Sequence, residues 1–186
     1  RELDGVQMFA PAASFANYRN SEVPELYCVY PFRLSSFEKP NASLGIEALT
    51  HRRPKGHQGW RQDDIFMAYL GLTEQAREFL VSRASIKHDG SRFPAFGGPN
   101  MDWIPDQTHG GVIIKAFQSM LLQTDGKKIF LQPAWPKDWN AEFKLHAPYK
   151  TVIEGRVVDG KVTDLKVSPK SRTMDVIMVT NGNRSH

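Results

Sequence analysis

Four stretches in the first two thirds of the chain place apolar residues at helical spacing. The first follows Pro40, where Asn41 or Ser43 can serve as the N-cap, and the second covers residues 60–70. The connections among the first three stretches are short, which is typical of antiparallel helix pairs. Helices are therefore predicted between Pro40 and about residue 122.

The limits of the later helices are marked by residues with clear end preferences. Gly71 ends the second helix, and Thr73 can cap the third. Asp63 and Asp64 lie in the first turn of the second helix, where the helix dipole favours carboxylates. The fourth helix covers residues 111–122, and its apolar residues recur at i, i+1, i+4 and i+5. This pattern predicts one buried stripe.

Beyond residue 128 the chain becomes rich in β-branched residues. Strands are predicted at residues 151–158, 161–167 and 175–179. Asp159-Gly160, between the first two, is typical of a two-residue hairpin turn. Helices come first and an antiparallel sheet follows, so the sequence predicts an α+β protein. A helical domain is expected over residues 1–125 and a small antiparallel β-domain over residues 126–186.

Composition narrows the class of protein. Of 186 residues, 40% are hydrophobic and 24% charged, which is ordinary for a globular protein that buries a core. The net charge of +4 is spread along the chain, unlike the clustered charge of a nucleic-acid binder. Cys28 is the only cysteine, which excludes an intrachain disulfide and a cysteine-based zinc site. No apolar stretch reaches the roughly 20 residues that span a bilayer.

Residues 88–111 form a long segment rich in glycine, proline and aromatic residues, and such segments are usually functional. Asp102, Trp103, Asp106 and His109 stand close together in it, followed by paired glycines. Sugar sites need carboxylates for acid–base chemistry and flat aromatic faces for stacking on the ring. The segment is therefore a candidate sugar site. In a purely structural alternative, Asp106 caps the helix, Trp103 is core and His109 is a surface residue.

Two further groups of residues leave alternatives open. His57 and Asp63 flank Trp60 and could bind a metal ion, but their spacing fits no known ligand pattern, and a capped helix start explains them as well. Trp135 and Trp139, in a proline-rich stretch, could form a sugar platform, although such stretches more often anchor a connection between domains. No metal or other cofactor is expected.

Several segments, in order along the chain, resemble glycoside hydrolase family 95, which contains α-L-fucosidases and α-L-galactosidases. Residues 26–31, Leu-Tyr-Cys-Val-Tyr-Pro, are similar to the family's Leu-Tyr-Gly-Leu-Tyr-Pro, and Gly59-Trp60 is similar to a Gly-Trp-Ser helix start. Residues 104–111, Ile-Pro-Asp-Gln-Thr-His-Gly-Gly, resemble Gln-Ile-Asp-Gly-Asn-Phe-Gly-Gly. Residues 120–123 and 129–136 are similar to a helix end and a Leu-Leu-Pro-Ala-Leu-Pro strand.

The resemblance implies the last helices of an (α/α)6 barrel followed by a C-terminal β-domain. It also implies inverting hydrolysis of glycosidic bonds, with Asp106 activating the attacking water. In the family this aspartate works with asparagines, and both these asparagines and the general-acid glutamate would precede Arg1, so the chain is expected to be a C-terminal portion. Alone, it would be inactive and would depend on the missing N-terminal part. A carbohydrate is the implied substrate, and the resemblance favours a secreted or periplasmic protein.

The resemblance further implies a sugar pocket lined by a set of residues on several segments. These are His109, Trp103, Glu25, Trp60 and Asp102. Glu25 replaces a histidine of the family, and residues 107–109 replace its Gly-Asn-Phe. These differences leave open which sugar is the substrate. One alternative is a non-catalytic carbohydrate-binding or scaffold protein of the same fold. Another is an unrelated metal-dependent enzyme that uses His57 and Asp63.

Overall fold

A computed structural model of the chain describes residues 1–3, 5–11, 22–53, 55–56, 61–85 and 107–179. Its α-helices are α1 (Ala42–His51), α2 (Asp63–Tyr69), α3 (Thr73–Ser85) and α4 (Gln107–Leu121). Its strands are β1 (Glu2–Leu3), β2 (Val6–Gln7), β3 (Leu122–Asp125), β4 (Lys128–Leu131), β5 (Ala141–Ala147), β6 (Thr151–Val158), β7 (Lys161–Ser168) and β8 (Val176–Met178). Short 3₁₀ helices cover Pro24–Leu26 and Lys170–Asp175. The mixture of helices and sheets confirms the α+β class.

The helices lie where the apolar pattern predicts them, with differences at their ends. Asn41 occupies the N-cap position of α1, but its side chain donates to the Leu34 carbonyl oxygen at 3.1 Å instead of capping the helix. α3 begins at Thr73 itself. α4 begins at Gln107, so the prediction that Thr108, His109 and Gly110 belong to a loop is wrong.

The early start of α4 has a physical reason. Glycine costs a helix about 1 kcal/mol relative to alanine, so paired glycines predict a helix end. In the fold, however, Gly110, Val112 and Ala116 are all buried, and this packing offsets the low helix propensity of Gly110 and Gly111. Packing of this kind is not visible in the local sequence.

α2 and α3 form an antiparallel hairpin. Gly71 lies between them with φ +73°, a conformation that suits glycine, as the sequence predicts. α2 also packs along α4. The Gln123 amide, just after α4, donates to the carbonyl oxygens of Ala68 and Ser119 at 2.8 Å each, so the carboxyl ends of α2 and α4 lie together. The two helices therefore run in the same direction, and both begin at the opposite end of the bundle.

Two three-stranded sheets follow the helices. β5, β6 and β7 form an antiparallel meander, and Asp159 (φ +48°) and Gly160 (φ +73°) make the predicted two-residue turn. β3 pairs antiparallel with β4, but β8 pairs with β4 in parallel, so the expectation of a wholly antiparallel β-domain is wrong. The 3₁₀ helix Lys170–Asp175 connects β7 to β8, and β8 then runs parallel to β4.

The helices and the meander share one hydrophobic core. Trp135 is 5% exposed and contacts the rings of Phe117 on α4 and Trp139, at centroid distances of 5.2 Å and 5.5 Å. Val157 of β6 is fully buried in the same cluster. This packing agrees with Trp135 as an anchor between helices and sheet. The first strand after the helices, β3, begins at Leu122. The division into two domains near residue 125 stays a prediction.

In the part of the chain that the structure describes, every helix is too short or too polar to cross a membrane.

Candidate functional site

Most of the predicted sugar-site residues lie outside the described residues. This applies to Trp60, Asp102, Trp103 and Asp106, and also to His57 of the alternative metal site. The backbone of His109 lies in the first turn of α4, while its side chain is outside the description. Glu25 is described in full. The candidate site is therefore built from Glu25 and the groups around it.

Glu25 belongs to a group of five buried ionisable side chains, named here the buried charge cluster. Its members are Glu25, Arg52, Asp63, Asp64 and Arg83, each no more than 5% exposed. They come from the first 3₁₀ helix, the residue after α1, the start of α2 and the end of α3. Buried charges are costly unless they are paired, so their arrangement decides what the cluster can do.

Arg52 and Asp63 make the closest pair of the cluster. The Nε and Nη2 atoms of Arg52 both contact Oδ1 of Asp63, and its Nη1 atom donates to the Leu49 carbonyl oxygen near the end of α1. Arg52 thus joins the end of α1 to the start of α2. Burial raises the pKa of Asp63, and Arg52 opposes that rise.

Asp64 and Arg83 make a looser second pair, with 3.4 Å between Oδ2 of Asp64 and Nη1 of Arg83. Arg83 also donates from Nη2 to the Arg61 carbonyl oxygen at 2.7 Å. Among the described atoms, Asp64 Oδ2 and Arg83 Nε have no hydrogen-bond partner. Burial raises the pKa of Asp64 to about 6, because the nearby Arg83 offsets only part of the desolvation.

Glu25 is the least compensated member of the cluster. Within the described structure, neither of its carboxylate oxygens accepts a hydrogen bond. Burial raises its pKa, while its own backbone amide and the charge of Arg52 oppose the rise. A carboxyl group in such a setting favours the protonated acid, which can donate a proton or a hydrogen bond.

The cluster lies where α2 begins and α3 ends. Asp63 and Asp64 open α2, and Arg83 reaches them from the end of the antiparallel α3. α4 runs parallel to α2 but is longer, so its first residue, Gln107, lies about 10 Å beyond the start of α2 along the helix axis. Three carboxyl groups with raised pKa values and two arginines therefore share one end of the helical layer.

The sequence pattern did not reveal this cluster. The pattern places Asp63 and Asp64 in the first turn of a helix, where the dipole favours carboxylates, but it does not indicate that both are buried and paired with arginines. Arg52 and Arg83 were not singled out, because arginine beside polar residues is usually exposed. One signal was available: Arg83 lies three residues after Leu80, on the buried stripe of α3.

The described residues do not form a metal site. They contain no group of three or more histidine, cysteine, aspartate or glutamate side chains that could hold an ion. Asp63, one of the two suggested ligands, already contacts Arg52. The part of the metal hypothesis that involves His57 lies outside the described residues.

The protonation of Asp64 leads to a testable pH dependence. The folded carboxyl has a pKa of about 6 against an ordinary value of 3.8, so the folded state binds the proton more tightly. Stability from this group should therefore increase as the pH falls through 6 and be complete below 3.8. The free energy of unfolding of the wild type, measured with urea between pH 7.5 and about 4.5, should rise relative to that of Asp64→Asn.

A matched control for this measurement is Asp164→Asn, because Asp164 is exposed on β7. Its difference from the wild type should be the same at every pH in the range. A difference between wild type and Asp64→Asn that stays constant, or that shrinks toward low pH, would contradict the raised pKa.

Comparison with known proteins adds no family: neither the protein-family models nor the curated proteins contain a match to this chain.

Proposed function

We propose that the chain is the C-terminal part of a glycoside hydrolase that inverts configuration at the anomeric carbon. Its helices would be the last ones of an (α/α)6 barrel, and its sheets the β-domain that follows. Asp106 would activate the attacking water, and the general acid would come from the chain before Arg1. The sugar pocket would include Glu25, Trp60, Asp102, Trp103 and His109. No cofactor takes part.

The observation that supports this proposal most is the buried charge cluster, in which Glu25, a predicted pocket residue, lies with two further buried carboxyl groups. Sites for acid–base chemistry commonly contain carboxyl groups with perturbed pKa values and no full set of partners. Glu25 and Asp64 have both properties.

The arrangement of elements is a second support. Helices joined as an antiparallel hairpin precede the sheets, and Trp135 packs between α4 and the strands. This is the order that the family 95 resemblance implies. Arg52 joins the end of α1 to the start of α2, and Arg83 joins the start of α2 to the end of α3. In the proposed enzyme these pairs would hold the helices in fixed relative positions. Preorganised positions matter because small displacements of catalytic groups cost large factors in rate.

The test is a single substitution in a protein that contains the complete helical domain. Asp106→Asn keeps the size of the side chain but removes its ability to accept the proton of the attacking water. We expect kcat to fall by at least about two orders of magnitude on aryl α-L-fucosides and a panel of other aryl glycosides, with KM little changed.

Asp164→Asn is the control, since this exposed residue of β7 should leave kcat unchanged. Turnover close to wild type in Asp106→Asn would rule out the assigned role. The alternative is a non-catalytic carbohydrate-binding protein, motivated by the replaced residues 107–109. It predicts no hydrolysis by the wild type, and sugar binding in calorimetry that survives Asp106→Asn.

A further inference from the structure

A groove separates helix α4 from strand β5, and it is named here the α4–β5 groove. Among the described strands, β5 pairs only with β6, so its other edge faces α4 across this groove. Two adjoining cavities of about 310 and 350 Å³ make up the groove, and Gln118, Lys144 and Leu145 line both. Together they have the size of ordinary small-molecule sites.

One half of the groove is apolar. Its walls include Ile114 and Phe117 of α4 and Phe143 of β5. Ile114 is 55% exposed and Phe117 is 43% exposed, although both side chains are large and apolar. The acid in this half, Glu142, is ion-paired with Arg156 of β6 at 2.5 Å. An apolar surface therefore remains open to a ligand.

The other half is basic. Lys115, Lys144 and His146 line it with Gln118 and Thr124, and its described lining contains no aspartate or glutamate. Lys144 is neutralised by Glu154 of β6 at 3.0 Å. Lys115, unlike Lys144, has no carboxylate partner among the described residues. Its ammonium group lies 5.7 Å from the centre of the Tyr30 ring.

The environment of Lys115 favours an anion. The side chain is half-buried, and burial alone lowers its pKa. A partly desolvated cation without a counter-ion gains more from an added anion than an exposed lysine does, because screening by water is weaker there. The groove offers one uncompensated lysine, with the neutral side chains of Gln118 and Thr124 beside it. A single negative charge matches this better than a dianion.

We propose that the α4–β5 groove binds a carboxylate with an apolar body. The carboxylate lies at Lys115, in the half of the groove that His146 also lines, and the body lies over Ile114 and Phe117. The groove shares no lining residue with the buried charge cluster, and the inference does not depend on hydrolase activity. Carboxylated sugars and aryl or alkyl acids share this chemistry, and the apolar half favours the aryl or alkyl acids.

The experiment compares 3-phenylpropionate with its neutral amide as ligands of the chain, by calorimetry or by NMR titration. The two compounds have the same body, so the difference in affinity reports the charge. We expect the carboxylate to bind at least about tenfold more tightly, since a hydrogen bond to a charged group contributes more than a neutral one. Lys115→Met, which keeps an apolar stem of similar length, should remove that difference.

The matched control is Lys128→Met, because Lys128 is exposed on β4 and does not line the groove. It should bind 3-phenylpropionate as the wild type does. Ile114→Ser tests the apolar half and should weaken both compounds equally. D-glucuronate distinguishes carboxylated sugars from aryl or alkyl acids as the ligand class. If glucuronate bound more tightly than 3-phenylpropionate, the proposal that the groove binds an apolar body would be overturned. Equal binding of acid and amide, no binding of either, or full affinity in Lys115→Met would overturn the site.

Discussion

Replacement of Arg52 with leucine is expected to lower the free energy of unfolding by about 3–5 kcal/mol, the usual cost of breaking a buried ion pair on one side. Arg52 is 5% exposed and contacts Asp63, which is 1% exposed. Without Arg52, the Asp63 carboxylate would lose its closest counter-charge, and Glu25 would lose the positive charge that opposes the rise of its pKa. The loss should be measured by urea unfolding at neutral pH, followed by circular dichroism. It should become smaller as the pH falls, because burial raises the pKa of Asp63 and the protonated carboxyl leaves no unpaired charge.

Arg53→Leu is the matched control, because the neighbouring Arg53 is exposed and its replacement should change stability by no more than about 0.5 kcal/mol. The double variant Arg52→Leu/Asp63→Leu tests the mechanism. If the cost comes from an unpaired buried charge, removing both partners should restore most of the lost stability. A double variant as unstable as Arg52→Leu would instead show that lost packing is the cause.

Trp135→Ala should have an effect of similar size, about 3–5 kcal/mol, because a large buried aromatic side chain is removed. The Trp135 ring packs against Phe117 and Trp139, and its Nε1 atom donates to the Trp139 carbonyl oxygen at 2.8 Å. Helices and sheet meet at this residue, so the variant should also unfold less cooperatively. Chemical unfolding followed both by circular dichroism and by tryptophan fluorescence would reveal it as two transitions that no longer coincide.

Two controls divide this effect into its parts. Trp135→Phe keeps an aromatic ring but loses the hydrogen bond to Trp139, so it should cost less than Trp135→Ala. Phe32→Ala removes an aromatic side chain that is 67% exposed, and it should be nearly neutral. If Trp135→Ala lost less than about 1 kcal/mol, the connection between helices and sheet would not depend on this residue.

Much of the local structure was predictable from short-range patterns. The limits of β6, the Asp159-Gly160 turn and the helix end at Gly71 all depend on the preferences of a few neighbouring residues. The start of α4 was not predictable in this way, because packing overrides the low helix propensity of two glycines there. The parallel pairing of β8 with β4 joins residues far apart in sequence, and no local signal encodes it.

The candidate site also has a part that was predicted from the sequence and a part that only the tertiary structure shows. Asp102, Trp103, Asp106 and the other predicted pocket residues rest on motif and resemblance, and their roles stay predictions. Of the residues that the structure describes, Glu25 was predicted as a site residue and lies buried beside Arg52. The pairing of Asp63 with Arg52 and of Asp64 with Arg83 could not be foreseen, since it needs three helices to meet at one end.

The sequence by itself determined the α+β class, the four helices with their apolar stripes and the hairpin of the meander. These features follow from periodicity and from turn chemistry, which act over a few residues. Only the tertiary structure decided which polar residues are buried together and which surfaces stay open. Desolvation is the largest cause of the raised pKa of Glu25 and the single cause of the lowered pKa of Lys115, and desolvation is a property of the assembled fold.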